Sequence, residues 1–283
     1  MIIIVKTCGI FLFKIILGGG GVSRKIVITS GKGGVGKTTV AANLGYALSN
    51  FGQRVLIIDI DFSLNNLDVV LGVENKVVYD IVDVLEGRCR VKQAIMQRNE
   101  KKNLYMLSSG SAEVSSNISG QNIKALVDSV APLFDYVLFD CPAGIDVGFH
   151  RAVSCADEAI VVVTPNIPSL RDADKVISVL SSYRLDKISI VVNRARGDLI
   201  LNDKMMMPFD IQAILKTELI GVLPEEDSVF LSSGYKLPFR SDSAKAYKLL
   251  ANNVHKNIKK VFDVTYKYSG FLGGIRRCIK RSV

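Results

Sequence analysis

The sequence predicts an α/β fold, a doubly wound and mainly parallel sheet flanked by helices. Apolar runs with strand character alternate with helical stretches along the 283 residues, and this alternation is typical of strands joined by right-handed crossovers. A glycine-rich loop at residues 31–39 separates the first strand from the first helix. Two further apolar runs end in aspartates, which would place carboxylates at the sheet edge where ligands collect in open α/β folds.

The elements follow one another in βαβ order, without a Pro/Ser-rich linker or an internal repeat. A chain of this length can bury one ample core. We therefore expect one domain over residues 24–264, preceded by an apolar extension over 1–23 and followed by a linker and terminal helix over 265–283. The strands are expected near Lys25, Val55, Leu104, Val137, Ile160, Ile188 and Leu219. The helices are expected near Val40, Lys124, Lys175, Ile211 and Ala244.

The loop after the first strand reads GKGGVGKTT and matches the phosphate-loop pattern G-x-x-x-x-G-K-[ST]. In this pattern backbone N–H groups surround the β-phosphate, Lys37 reaches the β- and γ-phosphate oxygens, and the Thr38 hydroxyl holds Mg²⁺. A glycine-rich turn without a ligand is the alternative, but the strand before the loop and the helix after it supply the context that the pattern requires. We therefore predict a nucleoside triphosphate bound by Gly31, Lys32, Gly33, Gly34, Val35, Gly36, Lys37, Thr38 and Thr39.

Three aspartates stand at the ends of apolar runs. Asp59 and Asp61 follow residues 55–58, and Asp140 follows residues 136–139. The second run has the form of a Walker B strand, whose carboxylate would hold Mg²⁺ directly or through water. Aspartates also cap helices and open turns, and spacing alone does not separate the roles of Asp59 and Asp61.

Lys32 lies directly after the first glycine of the loop. Since Lys37 already serves the bound phosphates, a second lysine would add repulsion unless it met another phosphate, such as one in a facing subunit. A solvated surface lysine is the alternative. The pattern K-G-G-x-x-K-[ST] at residues 32–38 resembles the deviant Walker A ATPases, a class of P-loop NTPases. That resemblance implies a homodimer enclosing two ATP molecules, with Lys32 reaching the partner's nucleotide.

The resemblance also implies roles for individual residues. Lys32, Lys37 and Asp61 would be catalytic, with Asp61 orienting the attacking water. Mg²⁺ would be held by Thr38 and Asp140, with Asp59 in its outer shell. The contacts to adenine would come late in the chain, from Asn193, Arg194 and Pro224. Ordinary loop polarity is the alternative explanation for those three residues.

Within this family the sequence is similar to the ATPases that select division sites, over nearly the whole chain from Arg24 on. This implies a switch that recruits a division inhibitor and responds to a partner that stimulates hydrolysis, with both partners contacting Arg171, Asp172 and Asp174. Two other functions share the loop: a DNA-positioning ATPase of the ParA kind, and a nitrogenase-type iron-protein reductase. The matching blocks include residues 59–61, 66–68, 140–145, 156–160, 170–174, 221–229 and 244–247.

The formal net charge is +9, and residues 270–283 contain basic but no acidic residues. Wound as a helix, this segment would be amphipathic and suited to an anionic membrane surface. Docking of the helix on its own domain is the alternative. The apolar face would carry Phe271, Leu272, Ile275 and Ile279, flanked by Arg276, Arg277, Lys280 and Arg281.

The remaining composition bears on location. Five cysteines without a Cys-x-x-Cys pair and only two histidines indicate a reducing compartment and no histidine metal site. Lys6 and Lys14 interrupt the apolar runs within residues 1–23, and each run is shorter than the ~18 residues that a membrane span needs. We interpret residues 1–23 as an upstream extension, with a second membrane contact as the alternative. We expect a peripheral membrane protein in a plastid stroma or, alternatively, a bacterial cytoplasm, with no specific nucleic acid partner.

Overall fold

The computed structural model describes residues 22–62, 66–98, 103–110, 118–227, 229, 237–238, 240–270 and 273. The apolar extension as far as Gly21 lies outside these residues. The side chains expected to contact a membrane also lie outside them, namely Phe271, Leu272, Ile275, Arg276, Arg277, Ile279, Lys280 and Arg281. The domain boundaries near residues 23 and 265 therefore stay predictions.

Eight strands form one sheet. They are β1 (Arg24–Thr29), β2 (Val55–Asp59), β3 (Met96–Gln97), β4 (Leu104–Leu107), β5 (Tyr136–Asp140), β6 (Glu158–Val163), β7 (Lys187–Ala195) and β8 (Glu218–Pro224). Their order across the sheet is β3-β4-β2-β5-β1-β6-β7-β8. All neighbouring pairs are parallel except β3 and β4, which are antiparallel. The predicted doubly wound, mainly parallel sheet is confirmed.

Ten α-helices connect or cover the described strands. They are α1 (Lys37–Asn50), α2 (Leu67–Leu71), α3 (Ile81–Leu85), α4 (Val91–Ala94), α5 (Gly120–Val130), α6 (Val147–Val153), α7 (Ile167–Leu180), α8 (Gly197–Ile200), α9 (Pro208–Leu215) and α10 (Asp242–Lys256). The five predicted helices correspond to α1, α5, α7, α9 and α10. In the described part of the chain, none of the helices is both long and apolar enough to span a bilayer.

Side chains alternate between the two faces of the sheet along each strand, and each face packs in its own hydrophobic core. Val27 of β1 and Val137 of β5 belong to a core that includes Phe149 of α6 and Val176 of α7. Ile26 and Ile28 of β1 belong to a second core on the other face, which includes Leu44 of α1 and Leu250 of α10. This two-sided burial explains why the central strands are continuously apolar.

The carboxyl ends of β1, β2 and β5 meet at one edge near the centre of the sheet. In register, Ile28 of β1 lies beside Asp140 of β5, and Asp140 lies beside Asp59 of β2. The phosphate-loop pattern follows β1 at this same edge. The fold therefore brings together three sequence features that are far apart along the chain.

Candidate active site

The glycine-rich loop runs from the end of β1 into the first turn of α1. Gly34 and Gly36 adopt left-handed conformations with φ of 76° and 96°, which glycine tolerates far better than other residues. The hydroxyl of Ser30 donates to the carbonyl of Lys32 at 2.7 Å. The first turn of α1 holds no acidic residue, so its N–H groups and helix dipole favour an anion.

Close contacts require glycine at two positions of the loop, Gly31 and Gly36. A Cβ atom at Gly36 would lie 2.5 Å from Nδ2 of Asn193, and one at Gly31 would lie 2.3 Å from the backbone carbonyl of Asp172. Any larger residue at Gly31 would have to displace α7, because the obstructing atoms belong to its backbone. The loop is thus packed between β7 and α7.

The two loop lysines occupy different environments. Lys32 is exposed with Gly33 and Gly34 at the tip of the loop, whereas Lys37 is half-buried at the start of α1. Lys37 is also close enough to Asp140 for its charge to lower the pKa of that carboxyl. Lys37 therefore faces the interior of the site, while Lys32 is positioned at its surface.

The aspartates at the strand ends form one buried cluster. Asp59 and Asp140 are adjacent in the sheet, and the Ile60 N–H donates to the carbonyl of Asp140 at 2.9 Å. The Asp59 carboxylate accepts hydrogen bonds from the N–H of Asp61 at 2.8 Å and of Leu67 at 3.4 Å. Asp59 thereby fixes the start of the segment that carries Asp61.

Burial changes the acidity of this cluster. Desolvation raises the pKa of Asp140 to about 7, although a hydrogen bond with Thr38 and the charge of Lys37 act in the opposite direction. Desolvation and the neighbouring charge of Asp140 raise the pKa of Asp59 well above its usual value. Two adjacent buried carboxyls without a cation are unfavourable when both are ionised, so the cluster is suited to a bound cation.

The residues present fit a magnesium ion that is held partly by the protein and partly by phosphate oxygens and water. Buried Oδ1 of Asp140 has no hydrogen-bond partner in the described part of the chain, and the Thr38 hydroxyl interacts with the same carboxyl. Within the described ranges, no group of three or more His, Cys, Asp or Glu side chains could hold a metal alone. Mg²⁺ commonly uses one or two protein oxygens together with phosphate oxygens and water, and this site supplies that number.

The predicted adenine contacts line a small cavity of about 70 Å³ beside the phosphate loop. Asn193, Arg194 and Pro224 all line it. Asn193 and Arg194 lie at the carboxyl end of β7, which runs to Ala195. The register between β7 and β8 is irregular from Val192 to Ala195, and Arg194 has φ of 56°, so both residues belong to a bulged strand end.

The predicted partner contacts lie on α7. Arg171 and Asp174 are exposed, and Asp172 is half-buried with an ion pair to Lys175 at 3.5 Å. These residues were expected to open the helix, but α7 begins four positions earlier than Arg171, at Ile167, with the Asn166 side chain capping it. They lie in its second turn, next to Gly31.

Two cysteines considered for a shared iron–sulfur cluster are unavailable for that role. Cys141 and Cys155 are each only 1% exposed, whereas a cluster bridging two subunits needs thiolates at the dimer surface. Burial also raises the pKa of the Cys141 thiol. Neither of these two buried thiols is placed to bind such a cluster.

Sequence reasoning gave no role to Tyr247, and it placed Val35 in the phosphate loop without predicting a contact between Val35 and Asn193. Tyr247 lines the small cavity, and the Val35 carbonyl accepts a hydrogen bond from Nδ2 of Asn193 at 2.8 Å. The block at residues 244–247 was a usable signal for Tyr247. No sequence signal marks the Val35 carbonyl, because its role depends only on backbone position.

The sheet, the glycine-rich loop and the strand-end aspartates together define a P-loop nucleoside triphosphatase. The AAA domain family matches residues 23–190. A relative in the alga Chlorella vulgaris, assigned by its name to the septum site-determining protein MinD, is 46% identical over 75% of this chain and 76% of its own length. The MinD of Synechocystis is 42% identical over 90% of this chain and 98% of its own length.

Solved structures give the same assignment. The MinC:MinD cell division complex of Aquifex aeolicus matches with a TM-score of 0.77 and 39% identity, over 83% of this chain and 96% of that one. Pyrococcus horikoshii MinD complexed with Mg-ADP matches with a TM-score of 0.75 and 33% identity, over 84% of this chain and 99% of that one. The chain belongs to the MinD family of septum site-determining ATPases.

Proposed function

We propose that this protein hydrolyses ATP with Mg²⁺, dimerises when ATP is bound, and attaches reversibly to a membrane to place a division site. The observation that carries the proposal is the phosphate loop, with Lys37 beside a buried carboxylate cluster and Lys32 exposed at the tip. Membership of the MinD family supports the same function. Membership of the MinD family does not favour the alternative of a DNA-positioning ATPase.

The base cavity supports adenine as the base. The Val35 carbonyl can only accept a hydrogen bond, so it fixes Nδ2 of Asn193 as the donor in that contact. The acceptor that Asn193 then offers is Oδ1, which suits the 6-amino group of adenine and opposes the 6-oxo group of guanine. Arg194 and Pro224 would pack against the base.

The carboxylate cluster supports magnesium-dependent hydrolysis. Thr38 and Asp140 would hold the metal, and Asp59 would act from the outer shell while both its oxygens remain engaged with backbone N–H groups. Bound Mg²⁺ would neutralise charge on the phosphates. Asp61, held in place through Asp59, would orient the attacking water.

The exposed position of Lys32 supports the ATP-dependent dimer. A lysine at the loop tip, away from the interior that Lys37 occupies, is placed to meet a phosphate on a facing subunit. Removing a charge-assisted contact costs about 1.5–3 kcal/mol. The dimer would form only when each subunit supplies a nucleotide for the partner's Lys32.

The composition of the tail supports a reversible membrane contact. Each large apolar side chain contributes roughly 1.5–3 kcal/mol when buried, and each basic group roughly 1 kcal/mol at an anionic surface. Ordering the segment costs about 1 kcal/mol or more per residue, so a single tail is marginal. Two tails on one dimer gain on the order of 10²–10⁴ in avidity, which would couple ATP binding to attachment.

The exposed second turn of α7 supports a partner-binding role for Arg171, Asp172 and Asp174. Two partners are proposed there: a MinC-like division inhibitor, and a MinE-like activator of hydrolysis. The solved Aquifex aeolicus assembly contains MinC with MinD. Relatives occur in the alga Chlorella vulgaris and in Synechocystis. Their occurrence is compatible with a location of this protein in a plastid stroma or in a bacterial cytoplasm.

Matched lysine variants test the proposal. Lys37→Ala should lower affinity for a fluorescent ATP analogue by about tenfold or more, because it removes a charged phosphate contact. Lys32→Ala should keep that affinity but lose the ATP-dependent dimer, measured by light scattering after gel filtration. The exposed Lys76→Ala variant should resemble the wild type in both assays. An equal loss of ATP affinity in both loop variants would contradict the role of Lys32 across the dimer.

A further inference from the structure

The loop that follows β8 connects two parts of the molecule. Pro224, the last residue of β8, lines the base cavity. Glu226, two residues later, lines both that cavity and a neighbouring one of about 370 Å³. The second cavity is also lined by Asp242, Lys267 and Tyr268. Residues 224–226 thus border both the nucleotide site and the C-terminal segment at residues 262–268.

Glu226 fastens this loop to the start of α10. Its carboxylate accepts hydrogen bonds from the N–H of Asp242 at 3.3 Å and from the N–H of Ser243 at 2.9 Å. These are first-turn N–H groups, which lack partners within the helix, and a carboxylate there also interacts favourably with the helix dipole. The position of the loop is therefore tied to the end of a helix of 15 residues.

Asp242 fastens the C-terminal segment to the same helix start. It is 5% exposed, and its carboxylate accepts hydrogen bonds from the Tyr266 hydroxyl at 2.7 Å and from Lys245 at 3.1 Å. Lys267 pairs with its other oxygen at 2.5 Å. Burial alone would raise the pKa of Asp242, but hydrogen bonds from Lys267, Tyr266 and Lys245 lower it overall, so the ionised form is the stable one.

The segment itself is packed against the domain. Val264 is buried, and a Cβ atom at Gly197 of α8 would lie 2.0 Å from the carbonyl oxygen of Val264. The rings of Phe262 and Tyr266 make an edge contact at 5.7 Å. Lys267 lies only a few residues before the predicted amphipathic tail.

We infer that Glu226 and Asp242 form a two-carboxylate latch, through which occupancy of the base cavity alters the anchoring of residues 262–268. The inference rests on the proposed nucleotide site. A base that contacts Pro224 shifts or stiffens the loop, Glu226 passes the change to the first turn of α10, and Asp242 passes it to Tyr266 and Lys267. The coupling is reciprocal: the factor by which nucleotide binding changes the equilibrium for release of the segment is also the factor by which release changes nucleotide affinity.

Hydrogen exchange of the full-length protein tests the latch. In the wild type, saturating ADP should change amide exchange of the peptide covering residues 262–269. Asp242→Asn keeps the backbone N–H that binds Glu226 but weakens the pairing with Lys267. It should raise exchange of that peptide about tenfold, the scale of one lost charged hydrogen bond, and should remove its dependence on ADP.

Asp128→Asn is the matched control, because Asp128 also pairs with two lysines, Lys25 and Lys124, but on another helix. It should leave the ADP dependence of the peptide intact. ADP binding is followed on the same samples with a fluorescent analogue. Saturated ADP with unchanged exchange in the wild type, or an unchanged ADP effect in Asp242→Asn, would overturn the latch alone. Failure of the wild type to bind ADP would overturn the proposed function and the latch with it.

Discussion

At the residue scale, the carboxylate cluster separates two functions that the sequence could not. Asp59 uses both carboxylate oxygens to hold the N–H groups of Asp61 and Leu67, so its visible role is to organise the segment. Asp61 is only half-buried and is presented by that segment. The spacing of two aspartates two residues apart contains no such information, because the difference lies in which groups they bind.

Replacing Asp61 tests its role in hydrolysis. Asp61→Ala should bind ATP normally and hydrolyse it about 100-fold more slowly, the usual scale for losing a group that handles the attacking water. It should accumulate as the membrane-bound dimer in vesicle sedimentation. Asp59→Ala, by contrast, should also lose ATP affinity, because it removes the acceptor that fixes the loop. Normal phosphate release by Asp61→Ala would transfer the role to Asp59.

The buried Asp140 carboxyl makes stability depend on pH. Its pKa is raised to about 7 in the fold, from roughly 3.9 in an unfolded chain. The folded state therefore binds this proton more tightly, and the stabilisation present below pH ~4 is lost as the pH rises towards 7. The nucleotide-free protein retains an unfavourable buried charge at pH 8.

Asp140→Asn removes that charge. In EDTA it should raise the free energy of urea unfolding at pH 8 on the order of 1 kcal/mol or more, with a smaller gain at pH 5. Hydrolysis of ATP should be lost in the same variant. The exposed Asp128→Asn variant should show no comparable pH-dependent gain. Equal effects of Asp140→Asn on unfolding at both pH values would contradict the raised pKa.

At the element scale, α7 links the partner face to the phosphate loop. Its backbone at Asp172 contacts Gly31, while Arg171 and Asp174 are exposed on the same turn. A protein bound to those side chains would therefore contact the same helical turn that packs against Gly31. This arrangement explains how a partner could alter hydrolysis without entering the nucleotide site.

Charge reversal on α7 tests the partner face. Asp174→Lys should weaken co-sedimentation of a MinC-like or MinE-like partner by roughly tenfold, since an interface contact worth more than about 1 kcal/mol is lost. Basal ATP hydrolysis should not change, because the Asp174 side chain is exposed and has no proposed role in nucleotide binding or hydrolysis. Asp210→Lys on α9, also exposed, is the control. Unchanged binding of both partners would move the interface elsewhere.

The strands and helices that could be predicted are those with long, regular patterns. β2 and β5 are buried along their whole length and apolar up to a final aspartate, and β1 has a buried apolar centre. The seven predicted strands are all present. The two-residue strand β3 was missed, because its pairing with β4 depends on tertiary contact and two residues show no periodicity. The irregular register between Val192 and Ala195 of β7 was not predicted, because it depends on the pairing of β7 with β8.

The candidate site was predictable to a similar extent. The phosphate loop and the strand-end aspartates follow from residue type and order, and the fold brings them together. The packing of Gly31 against Asp172 and the hydrogen bond from Asn193 to Val35 join residues more than a hundred positions apart in the chain. Such contacts leave no local pattern, so only the structure reveals them.

At the scale of the whole molecule, a nucleotide-binding domain precedes a tail for which we propose membrane binding. The domain carries the phosphate loop, the carboxylate cluster and the α7 face. The tail carries basic and apolar residues without any acidic one. In the function proposed above both parts are needed, since a single tail would bind a membrane only marginally and the domain would supply the ATP-dependent dimer.

Sedimentation with anionic vesicles tests this central claim most directly. The wild type should pellet with ATP and remain largely in solution with ADP. Ile275→Glu, and a chain ending at Ser269, should remain in solution with both nucleotides while still binding ATP and dimerising, because only the apolar insertion is lost. If the shortened chain still pelleted with ATP, the membrane contact would lie elsewhere, and the claim that the tail carries the membrane affinity would be wrong.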